Sequence, residues 1–156
     1  MDNLLDTMRN AVRAVIIRDG KLLALEKTDG GYSLPGGAPN IDETLEQGLI
    51  RECQEEIGCL VSIEGLVHVA DFYKVRDSVP PSTRHQIELL FICTVPDDYQ
   101  PKSGHHPDKR QVDVVWLEIV SLEQHKLVPT GIREPIKKLA LAGETGQELP
   151  VYLGTI

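Results

Sequence analysis

Apolar residues in this chain occur in short runs separated by polar turns. The first two runs cover residues 11–17 and 22–25, and they are rich in branched aliphatic side chains. Between them stands Asp19-Gly20, a pair typical of a tight turn between antiparallel strands. The pattern therefore predicts a β-hairpin near the start of the chain.

Residues 42–57 show the helical period instead. Apolar positions recur there on one stripe, formed by Leu49, Ile50, Cys53 and Ile57. Gly58 stands where a glycine commonly ends a helix. Asn40 or Asp42 is predicted to cap the amino end, because a short polar side chain can accept a hydrogen bond from the first turn.

The rest of the chain alternates apolar runs with irregular stretches. Further strands are predicted at residues 60–63, 66–75, 86–95, 112–119 and 151–153. A short helix is predicted to open at residues 121–123 and a longer one to cover 134–142, whereas 76–83 and 96–110 are predicted loops. Hairpins with few helices predict an α/β (α+β) fold, with residues 1–156 as one domain and 1–9 as an N-terminal arm.

Composition and charge limit the classes of function. A length of 156 residues suits one domain, and a net charge of −8 argues against a broad nucleic-acid-binding surface. Three cysteines without a C-x-x-C pair argue against a disulfide scaffold. No apolar run approaches the roughly 20 residues of a membrane span. We therefore expect a cytoplasmic protein that binds neither nucleic acid nor membrane.

The predicted helix carries an unusual concentration of acids. Six acidic residues and a single base, Arg51, lie between positions 42 and 56. Glu52, Glu55 and Glu56 follow the i, i+3, i+4 spacing, so they share one face and repel one another. A hard divalent cation such as Mg²⁺ or Mn²⁺ would turn that repulsion into coordination. The alternative is an acidic face that is simply solvated.

Residues 37–59 resemble the Nudix box, the sequence pattern of the Nudix (MutT-like) hydrolases. The matching positions are Gly37, Glu43, Arg51, Glu52, Glu55, Glu56 and Gly58. Cys53 and Cys59 stand at the two aliphatic positions of the pattern, where a free cysteine acts as a small buried hydrophobe. The resemblance implies an α/β/α sandwich with a mixed sheet between helices.

The resemblance also implies a metal-dependent pyrophosphohydrolase and the roles of its residues. Glu52, Glu55 and Glu56 match the metal-binding glutamates, and the Gly36 carbonyl would add a backbone ligand. The implied catalytic set is Glu52, Arg51 and Glu43, with Mg²⁺ as the cofactor and Mn²⁺ as a substitute. Glu52 would accept a proton from the attacking water or bind metal only.

Other candidates lie outside the box. Glu88 and Asp113 are candidates for an extra carboxylate, and Asp108 is more typical of a loop residue. Tyr32 is a candidate for stacking on a base. Arg84, with Lys74 and Arg76, flanks the 76–83 loop, where these cations would steer a phosphate or would simply be exposed.

The substrate stays open at this point. A nucleoside diphosphate linked to another moiety, such as ADP-ribose or another nucleotide sugar, is favoured because the 96–110 insertion would build a larger pocket. The alternatives are a nucleoside triphosphate, a non-catalytic nucleotide-binding module and an acidic calcium-binding or interaction domain. Many members of the family form dimers, so a homodimer is also open.

Overall fold

A computed structural model describes residues 8–76, 79–146 and 148–156. Within these ranges nine strands follow one another: β1 (Arg9–Val15), β2 (Ile17–Arg18), β3 (Lys21–Lys27), β4 (Tyr32–Ser33), β5 (Gly36–Gly37), β6 (Ser62–Arg76), β7 (Ser82–Thr94), β8 (Gln111–Glu118) and β9 (Tyr152–Thr155). The α-helices are α1 (Leu45–Ile57) and α2 (Arg133–Thr145), and short 3₁₀ segments cover Ile119–Gln124 and Thr130–Ile132. The predicted N-terminal arm falls mostly outside the described residues, and β1 already begins at Arg9.

The strands form two sheets. The first has the order β5-β1-β7-β6-β9 and is mixed, because β1 runs parallel to β7 while β6 and β7 are antiparallel. In the second, β3 pairs with β2 and β4 and, along its whole length, with β8. The short β5 is the edge of the first sheet next to α1.

Each α-helix packs on its own apolar cluster. Alternate residues of β1 face opposite ways, so Val12 and Ala14 join the cluster that holds α1, whereas Val15 joins the cluster that holds α2. β7 divides in the same manner, with Phe91 on the α1 side and Leu90 on the α2 side. The predicted α/β/α arrangement with a mixed sheet is confirmed.

Most predicted elements are found, with shifted ends. The Asp19-Gly20 turn joins β2 and β3 with both residues at positive φ, as the hairpin requires. The predicted strands 60–63 and 66–75 form the single strand β6, which passes two register shifts around Gly65. β6 and β7 extend into the predicted 76–83 loop, because backbone pairing continues to Arg76↔Ser82 despite the polar side chains.

The amino end of α1 differs from the prediction. Thr44, and neither Asn40 nor Asp42, is the N-cap: its side chain accepts from the Gln47 N–H (3.1 Å), and the Gln47 side chain accepts from the Thr44 N–H (2.9 Å). This reciprocal pair is a capping box, which satisfies two otherwise unpaired donors. At the carboxyl end Gly58 adopts the left-handed conformation, as predicted.

His68 is a buried histidine in β6 whose two ring nitrogens have no hydrogen-bond partner among the residues that the structure describes. Because burying an unpaired polar group costs free energy, His68→Leu is expected to raise the free energy of unfolding by about 1–2 kcal/mol. Urea denaturation measures the change. His85→Leu is the matched control, because it removes the hydrogen bond from His85 to Asp71 and should not stabilise the protein. A less stable His68→Leu variant would contradict the prediction.

Candidate active site

Arg51 joins two acids of α1 and one acid of the preceding turn into one network. Its Nε and Nη2 donate to the two carboxylate oxygens of Glu43 at 2.7 and 3.0 Å. Nη1 donates to Glu52 at 3.0 Å and to Glu55 at 3.2 Å, and Nη2 also reaches the Ala38 carbonyl. The Glu43 hydrogen bonds raise the pKa of Arg51 and lower the pKa of Glu43. Arg51 therefore fixes the direction of three carboxylates.

Arg51→Lys keeps the positive charge but loses the planar fork that holds Glu43. We expect the free energy of unfolding to fall by about 1–3 kcal/mol, because several charge-assisted hydrogen bonds are lost. We also expect kcat/KM to fall by about 10–100-fold, the usual effect of freeing a ligand from its supporting residue. Urea denaturation and steady-state kinetics check the two effects. An unchanged variant in both assays would show that Arg51 does not position Glu52.

Two glycines let the chain approach the glutamates of α1. The Gly36 N–H donates to Glu56 Oε1 at 2.8 Å. A Cβ on Gly37 would lie 2.9 Å from the carboxyl carbon of Glu52. Gly36 has a φ of +140°, and a Cβ there would lie 1.9 Å from the Val12 carbonyl oxygen. Gly36 therefore requires glycine, whereas a side chain at position 37 would push the flexible end of Glu52 aside.

The negative charge of Glu56 is only partly compensated by its neighbours. Its side chain is buried, and burial, with the charge of Glu52 as a further cause, raises its pKa to about 8. The Gly36 hydrogen bond and the charge of Arg13 act in the opposite direction without balancing these effects. A hard divalent cation would supply the missing charge, and its preferred oxygen donors are the ones present.

The donor set of carboxylate and carbonyl oxygens therefore fits a divalent cation. Among the described residues, however, no group of three or more His, Cys, Asp or Glu side chains is arranged to hold a metal ion. Glu52 and Glu56 face a common cavity, while Glu55 is engaged by Arg51 and is not part of the cavity wall. The structure brings together two of the three predicted carboxylate ligands.

The cavity, of about 560 Å³, is lined by these two carboxylates and by a group of basic residues, the cationic wall. Its charged lining consists of Arg9, Arg13, Lys27, Asp29, Glu52, Glu56, Lys74, Arg76, Glu88, Asp108, Lys109 and Arg110. Burial and the charges of Arg13, Arg9 and Lys27 lower the pKa of Lys74. Burial together with Arg13 and Arg84 lowers the pKa of Arg9. These cations crowd one another, which is the arrangement that an anionic ligand relieves.

The loop of residues 96–110 supplies part of this wall. The N–H groups of Gly104 and His106 donate to the last carbonyls of α1, those of Glu56 and Glu55. The loop thereby carries Asp108 into the cavity, where it forms an ion pair with Lys27. Although burial opposes the effect, the Lys27 contact lowers the pKa of Asp108. This loop therefore does line the cavity.

The structure separates the predicted substrate-binding residues into two groups. Tyr32 and Glu88 line the cavity, with Glu88 buried and paired to Arg13 at 3.0 Å. Arg84 and Asp113 are not in the lining, and the carboxylate of Asp113 accepts from the Val114 N–H in β8. The pair His105-His106 is exposed on the 96–110 loop, as a solvated loop predicts.

Sequence reasoning missed several cationic residues of the cavity: Arg9, Arg13, Lys27, Lys109 and Arg110. A signal for one of them was present, because Arg13 is the single charge within the apolar run of residues 11–17. Its partner Glu88 is likewise the single acid in the apolar run 86–95. Opposite charges isolated in two apolar runs indicate an ion pair between neighbouring strands.

One known protein family matches this chain, with its glutamate-bearing helix α1 and its mixed sheet. The NUDIX domain profile matches residues 7–139, most of the chain. The chain belongs to the NUDIX family. The resemblance predicted from residues 37–59 is thus confirmed, and the match extends well beyond the box on both sides.

Relatives in the NUDIX family include two curated proteins. A MutT-like protein of Streptomyces ambofaciens is 40% identical over 110 residues, which are 69% of this chain and 62% of that protein. An ADP-ribose pyrophosphatase of Methanocaldococcus jannaschii is 33% identical over 89 residues, 54% of this chain and 50% of that protein. The matches thus span between half and two thirds of these relatives' own lengths. The name of the second relative agrees with the predicted enzyme class, a hydrolase of phosphorus-containing anhydrides.

A solved structure of the family supports the fold. The NUDIX hydrolase of Nitrosomonas europaea superposes with a TM-score of 0.70 at 22% identity, covering 96% of this chain and 79% of that one. At this identity the likeness concerns the arrangement of sheets and helices alone. Separately, the described part of the chain contains no helix long and apolar enough to traverse a bilayer.

Proposed function

We propose that this NUDIX protein is a divalent-metal-dependent pyrophosphohydrolase. Its proposed substrate is a nucleoside diphosphate linked to another moiety, such as ADP-ribose or another nucleotide sugar. The observation that carries the proposal is one cavity in which Glu52 and Glu56 face a wall of cations that includes Arg9 and Lys74. Carboxylates that can hold a cation, together with several basic side chains in one cavity, suit a metal-bound diphosphate.

The proposed metal site uses Glu52, Glu56 and the Gly36 carbonyl, with Glu55 as the third carboxylate. The oxygen donors and the raised pKa of Glu56 support Mg²⁺, or Mn²⁺ in its place. Such a cation, when bound, neutralises phosphoryl oxygens and acidifies a coordinated water. Glu55 is included because Arg51 holds it beside Glu52.

Side chains of the protein would accept the proton, neutralise the phosphate and hold the base. Glu52, held in one direction by Arg51, is the proposed acceptor of the proton from the attacking water. Lys74 and Arg9 would neutralise the phosphate that the metal does not reach. Burial and neighbouring cations lower their pKa values, and an anion would offset both effects. Tyr32, on the cavity wall, offers a ring for stacking.

Hydrolysis of a nucleoside triphosphate is the second candidate. The number of cations in the wall favours it, because a triphosphate carries more negative charge than a diphosphate diester. The relative from Streptomyces ambofaciens, described as MutT-like, supports the same direction. The two candidates differ in their products, so one assay separates them.

The test is a panel of nucleotides with Mg²⁺ or Mn²⁺, comparing wild type with Glu55→Gln and Glu56→Gln. A nucleoside monophosphate released with a sugar phosphate supports the first candidate, and one released with pyrophosphate supports the second. Glu46→Gln is the matched control, because Glu46 is exposed on the same helix and does not line the cavity. No metal-dependent turnover over the whole panel would contradict both.

A further inference from the structure

Three residues form one row across the first sheet, on its cavity side. Gln86 in β7 pairs with Arg9 in β1 and with Phe72 in β6. Residues paired across strands point to the same face of a sheet, and all three line the cavity. The row therefore presents a guanidinium, an amide and an aromatic ring side by side.

The neighbouring residues fix the orientation of the Gln86 amide. One row further in, the carboxylate of Glu88 accepts from Arg13 Nε at 3.0 Å and from Gln86 Nε2 at 3.1 Å. A carboxylate only accepts hydrogen bonds, so the amide nitrogen of Gln86 must be the atom that faces it. The carbonyl oxygen Oε1 is consequently turned away from Glu88.

This oxygen has no partner. Gln86 is 1% exposed, and its Oε1 makes no hydrogen bond to any other described group. A buried acceptor without a donor costs free energy, and such groups in native proteins usually have an explanation. Placed on the wall of a binding cavity, an unused acceptor matches a donor carried by the ligand.

We propose that Gln86 Oε1 accepts a hydrogen bond from a hydroxyl or amino group of the bound nucleotide, which makes Gln86 a specificity-determining residue. The inference rests on the proposed function, because it assumes that the cavity holds a nucleotide. Oε1 is covered in this structure, so the donor must displace a neighbouring side chain. Arg9 and Phe72, both only half-buried, flank Gln86 in its row, and movement of either side chain would open a path to the donor.

The experiment measures discrimination by wild type, Gln86→Met and the matched control Gln54→Met. Gln54 is exposed on α1 and does not line the cavity, so the same chemical change there should be neutral. Adenosine nucleotides are compared with their 2′-deoxy counterparts and with purine counterparts that lack the amino group. The two comparisons distinguish a hydroxyl donor from an amino donor.

Wild type is expected to prefer the donor-bearing member of one comparison. In Gln86→Met, the ratio of kcat/KM for that member to kcat/KM for its donor-lacking partner should fall by about 10–100-fold. Both substrates are measured on one preparation, so their ratio does not depend on the fraction of folded enzyme. An equal loss for both members, or a wild type that discriminates in neither comparison, would overturn the inference.

A binding measurement distinguishes failure of this inference from failure of the proposed function. Affinity for the α,β-methylene analogue of ADP, measured by calorimetry, requires no turnover. If wild type hydrolyses nothing but binds the analogue more tightly than Gln86→Met does, the inference stands and the proposed catalysis fails. If wild type is an active hydrolase whose discrimination and affinity do not depend on Gln86, the inference fails and the proposed function stands.

Discussion

Glu56→Gln is expected to lower metal-dependent turnover by about a thousand-fold. The substitution keeps the shape and the acceptor for the Gly36 N–H but removes the charge that the metal would require. Stabilisation of phosphoryl charge by a metal is worth several kcal/mol, which corresponds to a factor of that order in rate. Steady-state kinetics with Mg²⁺ and with Mn²⁺ checks it. A variant within ten-fold of wild type would exclude Glu56 as a ligand.

When a chelator removes metal, the same variant is expected to gain stability relative to wild type as the pH rises. The pKa of Glu56 is about 8 in the folded chain against an ordinary 4.5, so the folded state holds its proton more tightly than the unfolded state. Wild type should therefore lose stability as the pH rises from about 4.5 to about 8. Glutamine does not titrate, so the melting temperature of Glu56→Gln should rise relative to wild type over this interval.

Thermal melts in EDTA at pH 5, 6.5 and 8.5 measure that trend. Glu55→Gln is the control, because Glu55 lies on the same helix but is only half-buried and outside the cavity. Added Mg²⁺ or Mn²⁺ should raise the melting temperature of wild type and leave that of Glu56→Gln unchanged. A difference between Glu56→Gln and wild type that does not vary with pH would contradict the burial argument.

Gly36→Ala is expected to destabilise the fold by more than about 3 kcal/mol. The residue has a φ of +140°, and its Cβ would lie 1.9 Å from the Val12 carbonyl oxygen, so the pairing of β5 with β1 must open. Urea denaturation, or loss of soluble protein, measures the effect. Gly65→Ala is the matched control, since no atom lies within 4 Å of its Cβ. Equal stability of the two variants would contradict the prediction.

The part of the site that sequence reasoning anticipated is the part that one helix builds. Arg51, Glu52 and Glu55 lie on α1, so helical spacing alone brings them together, and Glu43 reaches Arg51 from the turn just before the N-cap. The carboxyl end of α1 was also predictable, because helices commonly end at a residue in the left-handed conformation, which glycine adopts without strain. The predicted N-cap was wrong, because any of several short polar residues can cap a helix. The reciprocal hydrogen bonds between Thr44 and Gln47 select Thr44.

The cationic wall could not be assembled from spacing. Arg13 and Glu88 are 75 positions apart, and only the parallel register of β1 on β7 makes them neighbours. The same register places Arg9 beside Gln86. A parallel pairing between strands so distant along the chain has no local signature, unlike the Asp19-Gly20 hairpin. Isolated opposite charges in two apolar runs hint at the Arg13–Glu88 pair, but the other residues of the wall are brought together only by the sheet.

The 96–110 loop is fixed to the carboxyl end of α1 by close backbone and side-chain contacts. A Cβ on Gly104 would lie 2.3 Å from the Glu55 carbonyl oxygen, and the Tyr99 hydroxyl donates to the Ile57 carbonyl at 2.8 Å. The loop thus completes the helix that carries the glutamates. Exchanging it for a loop of another length would disturb the helix that carries the glutamates unless these anchors were transplanted too. A change in this loop therefore alters the cavity lining and the glutamate-bearing helix together.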